Sequence, residues 1–288
     1  TKKIFCWKFF ITDNLDFLNK KSLEYRKTIL EIIYNSGAGH TGGSLSCVEI
    51  LNVLYNVILD KNPNNFHQLN RDHYIHSKGH SVEALYTILC DKGFFSKKEL
   101  SSLNNFNSHF IGHPTKKING IEQNTGALGH GLSVAVGLAL SQKIDKISKK
   151  VFTLLGDGEL SEGSVWEACL TAQKYMLDNL VVIVDRNKLQ ITGKTEEVNP
   201  IEPLKEKFES FGFIVNSVNG NDNEELVKVF QSIPFSKDKP NLIIANTIKG
   251  FGVSFIENQI KWHHRVPTKE EYQKAIEELT NQMSSYEK

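Results

Sequence analysis

One acidic side chain stands between two glycines at the end of an apolar-leaning stretch. In the segment VFTLLGDGELSEG, Val151 to Leu155 lead into Gly156, Asp157 and Gly158. Glycines on both sides of a carboxylate let a ligand approach the backbone closely. The pattern therefore predicts a site where a positive group binds Asp157 and backbone N–H groups contact a phosphate-like ligand.

A second polar residue, Asn187, ends the next predicted strand, NLVVIVDRN. Parallel strands joined by right-handed crossovers end at one edge of the sheet, where open α/β sheets bind ligands. Carboxylate and amide oxygens are hard ligands that suit magnesium or calcium rather than zinc or copper. Magnesium usually completes its coordination with substrate phosphates. Asp157 and Asn187 are therefore predicted to form half of a metal site, with a diphosphate as the other half.

Four histidines form the second group with chemical potential. His40, His80 and His113 each follow a glycine in a predicted loop, and His263 lies in KWHH. A single loop histidine is usually a surface or helix-cap residue, but four in such positions indicate proton transfer near neutral pH. The sequence has neither HExxH nor GxxxxGK[ST], which argues against a metallopeptidase and a P-loop nucleotide site.

Alternating strands and helices must position these residues. Helices are predicted over LEYRKTILEIIYNS, about 45–59, about 81–92, the segment after NTGALGHG, and GSVWEACLTAQKYML, while GAGHTGGS is predicted as a loop. Strands are predicted in DHYIH, VFTLL, NLVVIV, FIVNSV and NLIIAN. This order predicts an α/β fold, a parallel sheet with helices on both faces. We expect an N-terminal tail at 1–14 and a single domain at 15–288.

The charge balance and cysteine content limit the partners and the compartment. The 288 residues include 34 basic and 33 acidic side chains, a net charge of +1, so we expect neither nucleic acid nor a membrane surface as the main partner. No apolar run approaches the roughly 18 residues of a membrane span. The four cysteines are far apart and form no CxxC pair, which predicts a reducing, cytoplasmic location.

Taken together, six segments resemble the thiamine-diphosphate-binding domain of transketolase, also called its diphosphate domain. They are GAGHTGGSLS, RDHYIHSKGH, IGHP, NTGALGHG, GDGELSEG with DRNKLQITG, and TIKGFGVSFIENQIKWHH. The GDG…N pair is the thiamine diphosphate signature, and the histidine segments follow in the family's order. The resemblance covers about residues 22–267 and implies the fold of that domain.

The resemblance also implies a role for each candidate residue. Magnesium, with calcium or manganese as alternatives, would be bound by Asp157, Asn187 and the backbone carbonyl of Leu189. Glu162 and Glu167 match family glutamates beside the cofactor that lie toward the facing subunit. His40 and His113 would bind substrate hydroxyls and, with His80 and His263, manage protons. The remaining thiamine diphosphate contacts would be His80, Gly126, Ala127, Leu128, Gly156, Asp157, Gly158, Asn187, Leu189, Ile191 and His263.

The implied activity is transfer of a two-carbon ketol unit from a ketose to an aldose, as in the pentose phosphate pathway or a specialised biosynthesis. No segment resembles the pyrimidine-binding domain that supplies the activating glutamate. We therefore expect the N-terminal subunit of a split transketolase, working with a separate C-terminal subunit in an α2β2 heterotetramer on a sugar or sugar phosphate. The alternatives are a subunit of a 2-oxo acid dehydrogenase or of a biosynthetic acyloin- or ketol-forming enzyme, and a non-catalytic protein that kept the fold.

Overall fold

Five parallel strands form the sheet that carries the candidate residues. In a computed structural model, which describes the backbone of residues 2–286 and the side chains of residues 15–286, the strand order is β1-β2-β3-β7-β6. A separate antiparallel ribbon pairs β4 with β5. The strands are β1 (His73–His76), β2 (Val151–Gly156), β3 (Leu180–Arg186), β4 (Leu189–Gln190), β5 (Gly193–Lys194), β6 (Ile214–Asn219) and β7 (Asn241–Asn246).

The helices cover both faces of this sheet. Their bounds are α1 (Lys2–Ser36), α2 (Thr41–Ser46), α3 (Val48–Val53), α4 (Val82–Asp91), α5 (Lys97–Leu100), α6 (Gly131–Ile144), α7 (Gly163–Lys174), α8 (Thr195–Val198), α9 (Leu204–Ser210), α10 (Asn223–Gln231) and α11 (Lys269–Ser284). Short 3₁₀ turns lie at Gly79–Ser81, Gly158–Ser161 and Ile260–Trp262, and a π-helical turn lies at Leu54–Ile58.

Alternate side chains of the central strands pack into two separate cores. In β3, Val181 and Ile183 join the core with α1, α3 and α10, while Val182 and Val184 join the core with α6, α7 and α9. Every residue of β3 is buried, as expected for a parallel strand covered on both faces. The predicted α/β fold with helices on both faces is therefore confirmed.

The prediction for residues 37–59 was wrong in its details. A loop was predicted over GAGHTGGS and one helix over about 45–59, but α2 begins at Thr41, and Cys47, with φ −102° and ψ 13°, separates it from α3. Glycine lowers intrinsic helix propensity, but tertiary packing outweighs it here. A Cβ on Gly42 would lie 2.9 Å from the Trp262 carbonyl oxygen, so the glycines let α2 pack directly against that backbone.

The limits of the domain remain a prediction. The tail expected at 1–14 lies outside the residues whose side chains the structure describes. Within the described part of the chain, no helix combines the length and the apolar character needed to cross a membrane.

Candidate active site

The two halves of the predicted metal pair lie side by side at the carboxyl edge of the sheet. β2 pairs with β3 in parallel, with Gly156 opposite Asp185. The backbone N–H of Lys188, the neighbour of Asn187, donates to Asp157 Oδ2 at 2.5 Å. Asp157 and Asn187 are both buried. The strand order thus brings together two side chains that the sequence separates by a whole strand–helix–strand unit.

Within the chain, the positive partner of Asp157 is an arginine. Arg186 Nη1 lies 3.0 Å from Asp157 Oδ2, and the Gly158 N–H donates to Asp157 Oδ1 at 2.8 Å. Burial, followed by the nearby charge of Asp185, raises the pKa of Asp157, and Arg186 opposes that rise. A further cation beside Oδ1 would favour the ionised carboxylate in the same way.

The remaining predicted ligands point to the same region. Asn187 Oδ1 accepts a hydrogen bond from the Leu189 N–H at 3.2 Å, and Lys249 Nζ lies 3.1 Å from the Leu189 carbonyl oxygen. Carboxylate, amide and carbonyl oxygens are the donor types that magnesium prefers. Among the described residues, no three His, Cys, Asp or Glu side chains cluster as a metal site, so this set differs from a zinc-type centre.

A cavity of about 450 Å³ opens beside these residues and gathers most of the predicted site. Ala127, Glu162 and Glu167 do not line it, and all three are exposed. The predicted residues that do line it are His40, His80, His113, Gly126, Leu128, Gly156, Asp157, Gly158, Asn187, Leu189, Ile191 and His263.

Two residues of the cavity wall have buried polar atoms whose hydrogen-bonding capacity the protein does not use. Gln190 Oε1 and His40 Nδ1 are buried and have no hydrogen-bond partner among the described residues. A Cβ on Gly158 would lie 3.2 Å from the Gln190 side chain, so glycine leaves this wall open to a ligand. The Gly156 N–H, in contrast, donates to Glu159 Oε2 at 3.1 Å.

The four predicted histidines converge on one point. Measured from the His40 ring, the ring centroids of His80, His263 and His113 lie at 5.3, 5.6 and 6.1 Å. Burial is the largest cause that lowers their pKa values, to about 3 for His40 and His263, well below 6.5 for His80, and below 6.5 for His113. The imidazoles are therefore neutral at pH 7 and can exchange protons with sugar oxygens.

Two lysines of the cavity were missed by the sequence analysis. Lys78 and Asp185 form a fully buried ion pair. Lys249 Nζ lies 2.8 Å from His263 Nδ1. Burial, followed by the charge of Lys78, lowers the pKa of Lys249 to about 8. Lys249 follows β7 as Asp157 follows β2, so the rule that polar residues at strand ends meet at one edge could have found it.

A buried glutamate, also missed, joins the three glycine-rich segments around the cavity. Glu159 Oε1 accepts hydrogen bonds from the Ser77 hydroxyl and, at 2.9 Å, from the Gly129 N–H. Its Oε2 accepts from the Gly156 N–H. One carboxylate thus connects the segments SKGH, NTGALGHG and GDG. Its position inside the GDGE motif was the available signal.

A second missed carboxyl lies beneath His40. Glu83 is fully buried; its Oε1 accepts from the His40 N–H at 3.2 Å and its Oε2 from the Ser44 hydroxyl at 2.8 Å. A Cβ on Gly39 would lie 2.8 Å from Glu83 Oε1, and Gly39 has φ +156°. Glycine is therefore required at position 39 for this contact.

The fold and this cleft define an α/β enzyme domain that binds its ligand at the carboxyl edge of a parallel sheet. The chain belongs to the transketolase family, because the family model described as "Transketolase, thiamine diphosphate binding domain" matches residues 20–284. It is similar to the N-terminal, cofactor-binding part of these enzymes.

Relatives of about the same length and longer ones both support this membership. One subunit of the apulose-4-phosphate transketolase from Phocaeicola vulgatus is 46% identical over 95% of this chain and 98% of its own. The 6-deoxy-6-sulfo-D-fructose transketolase subunit SqwG of a Clostridium species is 40% identical over 88% and 93%. The transketolase of Campylobacter jejuni is 30% identical with a TM-score of 0.80, over 94% of this chain and 48% of that one. The chain thus spans about half the length of that enzyme.

Proposed function

We propose that this chain is the N-terminal subunit of a transketolase that moves a two-carbon ketol unit from a ketose to an aldose. One observation carries the proposal: a single cavity holds the Asp157–Asn187 pair together with four neutral histidines. The carboxylate–amide pair alone would also suit a 2-oxo acid dehydrogenase component. The histidines favour a substrate rich in hydroxyl groups, because each can donate to or accept from a sugar oxygen.

The cofactor of this reaction is thiamine diphosphate with magnesium. Asp157, Asn187 and the Leu189 carbonyl would hold the metal, and the Gly158 turn would lie against the diphosphate. When bound, thiamine diphosphate supplies the nucleophilic carbon that carries the two-carbon unit. Lys249 adds an ammonium donor to the same wall, 3.1 Å from the Leu189 carbonyl, where a negatively charged group would lie.

The histidines act on the substrate side of this cleft. Because burial keeps them neutral, each ring has one N–H donor and one acceptor nitrogen. His40 and His113 would orient the sugar hydroxyls, and His80 and His263 would pass protons to and from the reacting oxygens. General acid–base help of this kind contributes about 10²- to 10⁴-fold in rate.

A separate C-terminal subunit would complete the cleft. The support is that similar proteins matched over nearly their whole length are named as single subunits of a transketolase, whereas only 40% of human transketolase is covered. The exposed glutamates Glu162 and Glu167 would face that interface. Two copies of each chain would form a heterotetramer, because closed two-fold interfaces are common.

The names of the relatives support a substrate class, and the free cysteines support a cellular compartment. The two subunit relatives above are named for apulose 4-phosphate and for 6-deoxy-6-sulfo-D-fructose, so a sugar bearing a terminal anion is the proposed class. A cytoplasmic location is proposed because Cys47, Cys90 and Cys169 are free thiols, as expected in a reducing compartment.

The test compares the chain alone with the chain plus a candidate C-terminal transketolase subunit from the same organism. Calorimetry measures thiamine diphosphate binding with magnesium, and a ketose-plus-aldose assay measures transfer. We expect weak binding and no transfer from the chain alone, and both in the complex. Transfer by the chain alone, free of host enzyme, would overturn the split arrangement.

Two histidine variants test the substrate side. His40→Ala and His113→Ala in the complex should lower turnover by about 10²-fold while cofactor affinity changes little. His67→Ala, an exposed histidine outside the cavity lining, is the matched control. Wild-type kinetics in both variants would leave His40 and His113 without a role in the reaction.

A further inference from the structure

A fifth imidazole lies against the histidine group. The His264 ring centroid is 4.6 Å from that of His40, with an interplanar angle of 63°. This is shorter than the distance from His40 to His80, His113 or His263. The other four rings are partly buried, whereas His264 is exposed. It therefore lies at the rim of the cleft, in contact with a ring that lines it.

The backbone of His264 is held from both sides. Before it, Trp262 is fully buried. After it, the carbonyl of Arg265 accepts a hydrogen bond from the Thr41 hydroxyl at 2.6 Å. The Arg265 guanidinium lies 4.4 Å above the Trp262 ring and 2.7 Å from Glu271. Since Thr41 is the next residue after His40, this hydrogen bond fixes the loop that carries His264 and Arg265 to the segment that carries His40.

The side chain of His264 has hydrogen-bonding capacity that the protein does not use. Within residues 15–286 its ring makes no hydrogen bond, and it is not one of the residues that line the cavity around Asp157 and His40. An imidazole at the rim next to a substrate-side histidine is placed for the substrate, not for the cofactor.

We infer that His264 is a specificity-determining residue whose ring N–H donates to an oxygen on the distal, non-reacting end of the sugar. This inference rests on the proposed ketol transfer and names the end of the sugar to which His264 binds. A hydroxyl oxygen and an oxygen of a terminal phosphate present the same acceptor chemistry, and the experiment separates them. The simpler function, shielding of the His40 ring from water, is one of its outcomes.

The experiment uses the assembled complex loaded with thiamine diphosphate and magnesium, with one ketose donor and three acceptors. Glycolaldehyde has no distal carbon, D-glyceraldehyde has a distal hydroxyl, and D-glyceraldehyde 3-phosphate has a distal phosphate. For the acceptor whose distal oxygen bonds to His264, His264→Ala should raise KM about tenfold, which corresponds to the loss of one hydrogen bond. The KM for glycolaldehyde, the turnover number and the calorimetric Kd of thiamine diphosphate should stay unchanged.

Two conservative variants separate hydrogen bonding from shielding. His264→Asn keeps an N–H donor and should recover part of the affinity, whereas His264→Phe keeps a ring against His40 without a donor and should behave like His264→Ala. His67→Ala is the control for loss of an exposed imidazole. A shift with D-glyceraldehyde alone identifies the C3 hydroxyl, which the phosphate ester lacks. A shift with the phosphate ester alone identifies the phosphate, and a shift with both identifies the C3 oxygen that they share.

The experiment distinguishes failure of the proposed function from failure of the inference about His264. If the wild-type complex transfers no ketol unit to any acceptor, the proposed function fails and this inference fails with it. If the wild-type complex is active and His264→Phe matches it, the ring only shields His40 and the inference is overturned. Equal KM shifts for glycolaldehyde and the longer acceptors would also overturn it, because the effect would then lie at the reacting carbons.

Discussion

Lys249 Nζ lies 2.8 Å from His263 Nδ1 and 3.1 Å from the carbonyl oxygen of Leu189. An ammonium can only donate, so His263 Nδ1 accepts, and the proton of the neutral ring is on Nε2. Burial, followed by the charge of Lys249, lowers the pKa of His263 to about 3. Lys249 therefore sets the tautomer in which His263 presents an N–H donor.

Lys249→Met should weaken cofactor binding without unfolding the protein. It removes the donor to His263 and leaves the Leu189 carbonyl without that partner. Hydrogen bonds to charged groups contribute about 1.5–3 kcal/mol, so thiamine diphosphate affinity should fall about 10- to 100-fold in calorimetry with magnesium. Lys261→Met removes an exposed lysine of the same segment and is the control. Equal affinity in the two variants would contradict the role of Lys249.

Asp157→Asn should abolish magnesium-dependent binding of the cofactor, because it removes the only charged protein ligand of the proposed metal. The fold should survive, since Arg186 retains Thr195, Glu196 and Glu202 as partners. We expect a loss of affinity above about 100-fold, roughly the 3 kcal/mol of one buried charge pair.

Glu202→Gln is the matched control for this variant. It weakens another contact of Arg186 without touching the proposed metal ligands, so its cofactor affinity should match the wild type. Thermal unfolding of all three proteins reports the fold. Unchanged affinity in Asp157→Asn would remove Asp157 from the metal site.

Glu159→Ala should destabilise the protein and also weaken the contacts between the three segments that Glu159 connects around the cavity. It leaves the Gly129 and Gly156 N–H groups and the Ser77 hydroxyl without their acceptor, and each buried unsatisfied group costs about 1–3 kcal/mol. Denaturant unfolding should show a loss of several kcal/mol. Ser77→Ala removes one of the three donors and should cost about 1 kcal/mol. A loss in Glu159→Ala no larger than that in Ser77→Ala would show that the carboxylate does not connect the segments.

The stability of the protein should depend on the ionisation of Glu83. Burial raises the pKa of Glu83 from 4.5 to about 7. Between these values the folded state binds the proton more tightly than the unfolded state, so this contribution to stability is present below pH 4.5 and is lost as the pH rises to 7. At about 1.4 kcal/mol for each pH unit, the loss across the window is about 3 kcal/mol.

Denaturant unfolding between pH 4.5 and 8 measures this dependence. The difference between wild type and Glu83→Gln isolates it, because other titrating groups are common to both proteins. Glu206→Gln, at an exposed position, should track the wild type. Parallel curves for wild type and Glu83→Gln would show that the pKa of Glu83 is the same in the folded and unfolded states, which would contradict this prediction.

The sequence by itself determined the fold class and the residues at the strand ends. Local features carry this information: the apolar run of β3 and the glycines around Asp157. Such features act through neighbouring residues, so they can be read without knowing the rest of the structure. Asp157 and Asn187 also follow from topology, because parallel strands end at one edge.

Only the tertiary structure decided which side chains complete the site. Lys78 and Asp185 are far apart in sequence yet form a buried pair, and Glu159 connects two segments that precede it by a helix or more. The helix at Thr41 forms against glycine's preference because Gly42 packs on the Trp262 backbone. His264 meets His40 only because Thr41 and Arg265 hold their two loops together. Contacts of this kind depend on the packing of whole elements, and no local pattern specifies them.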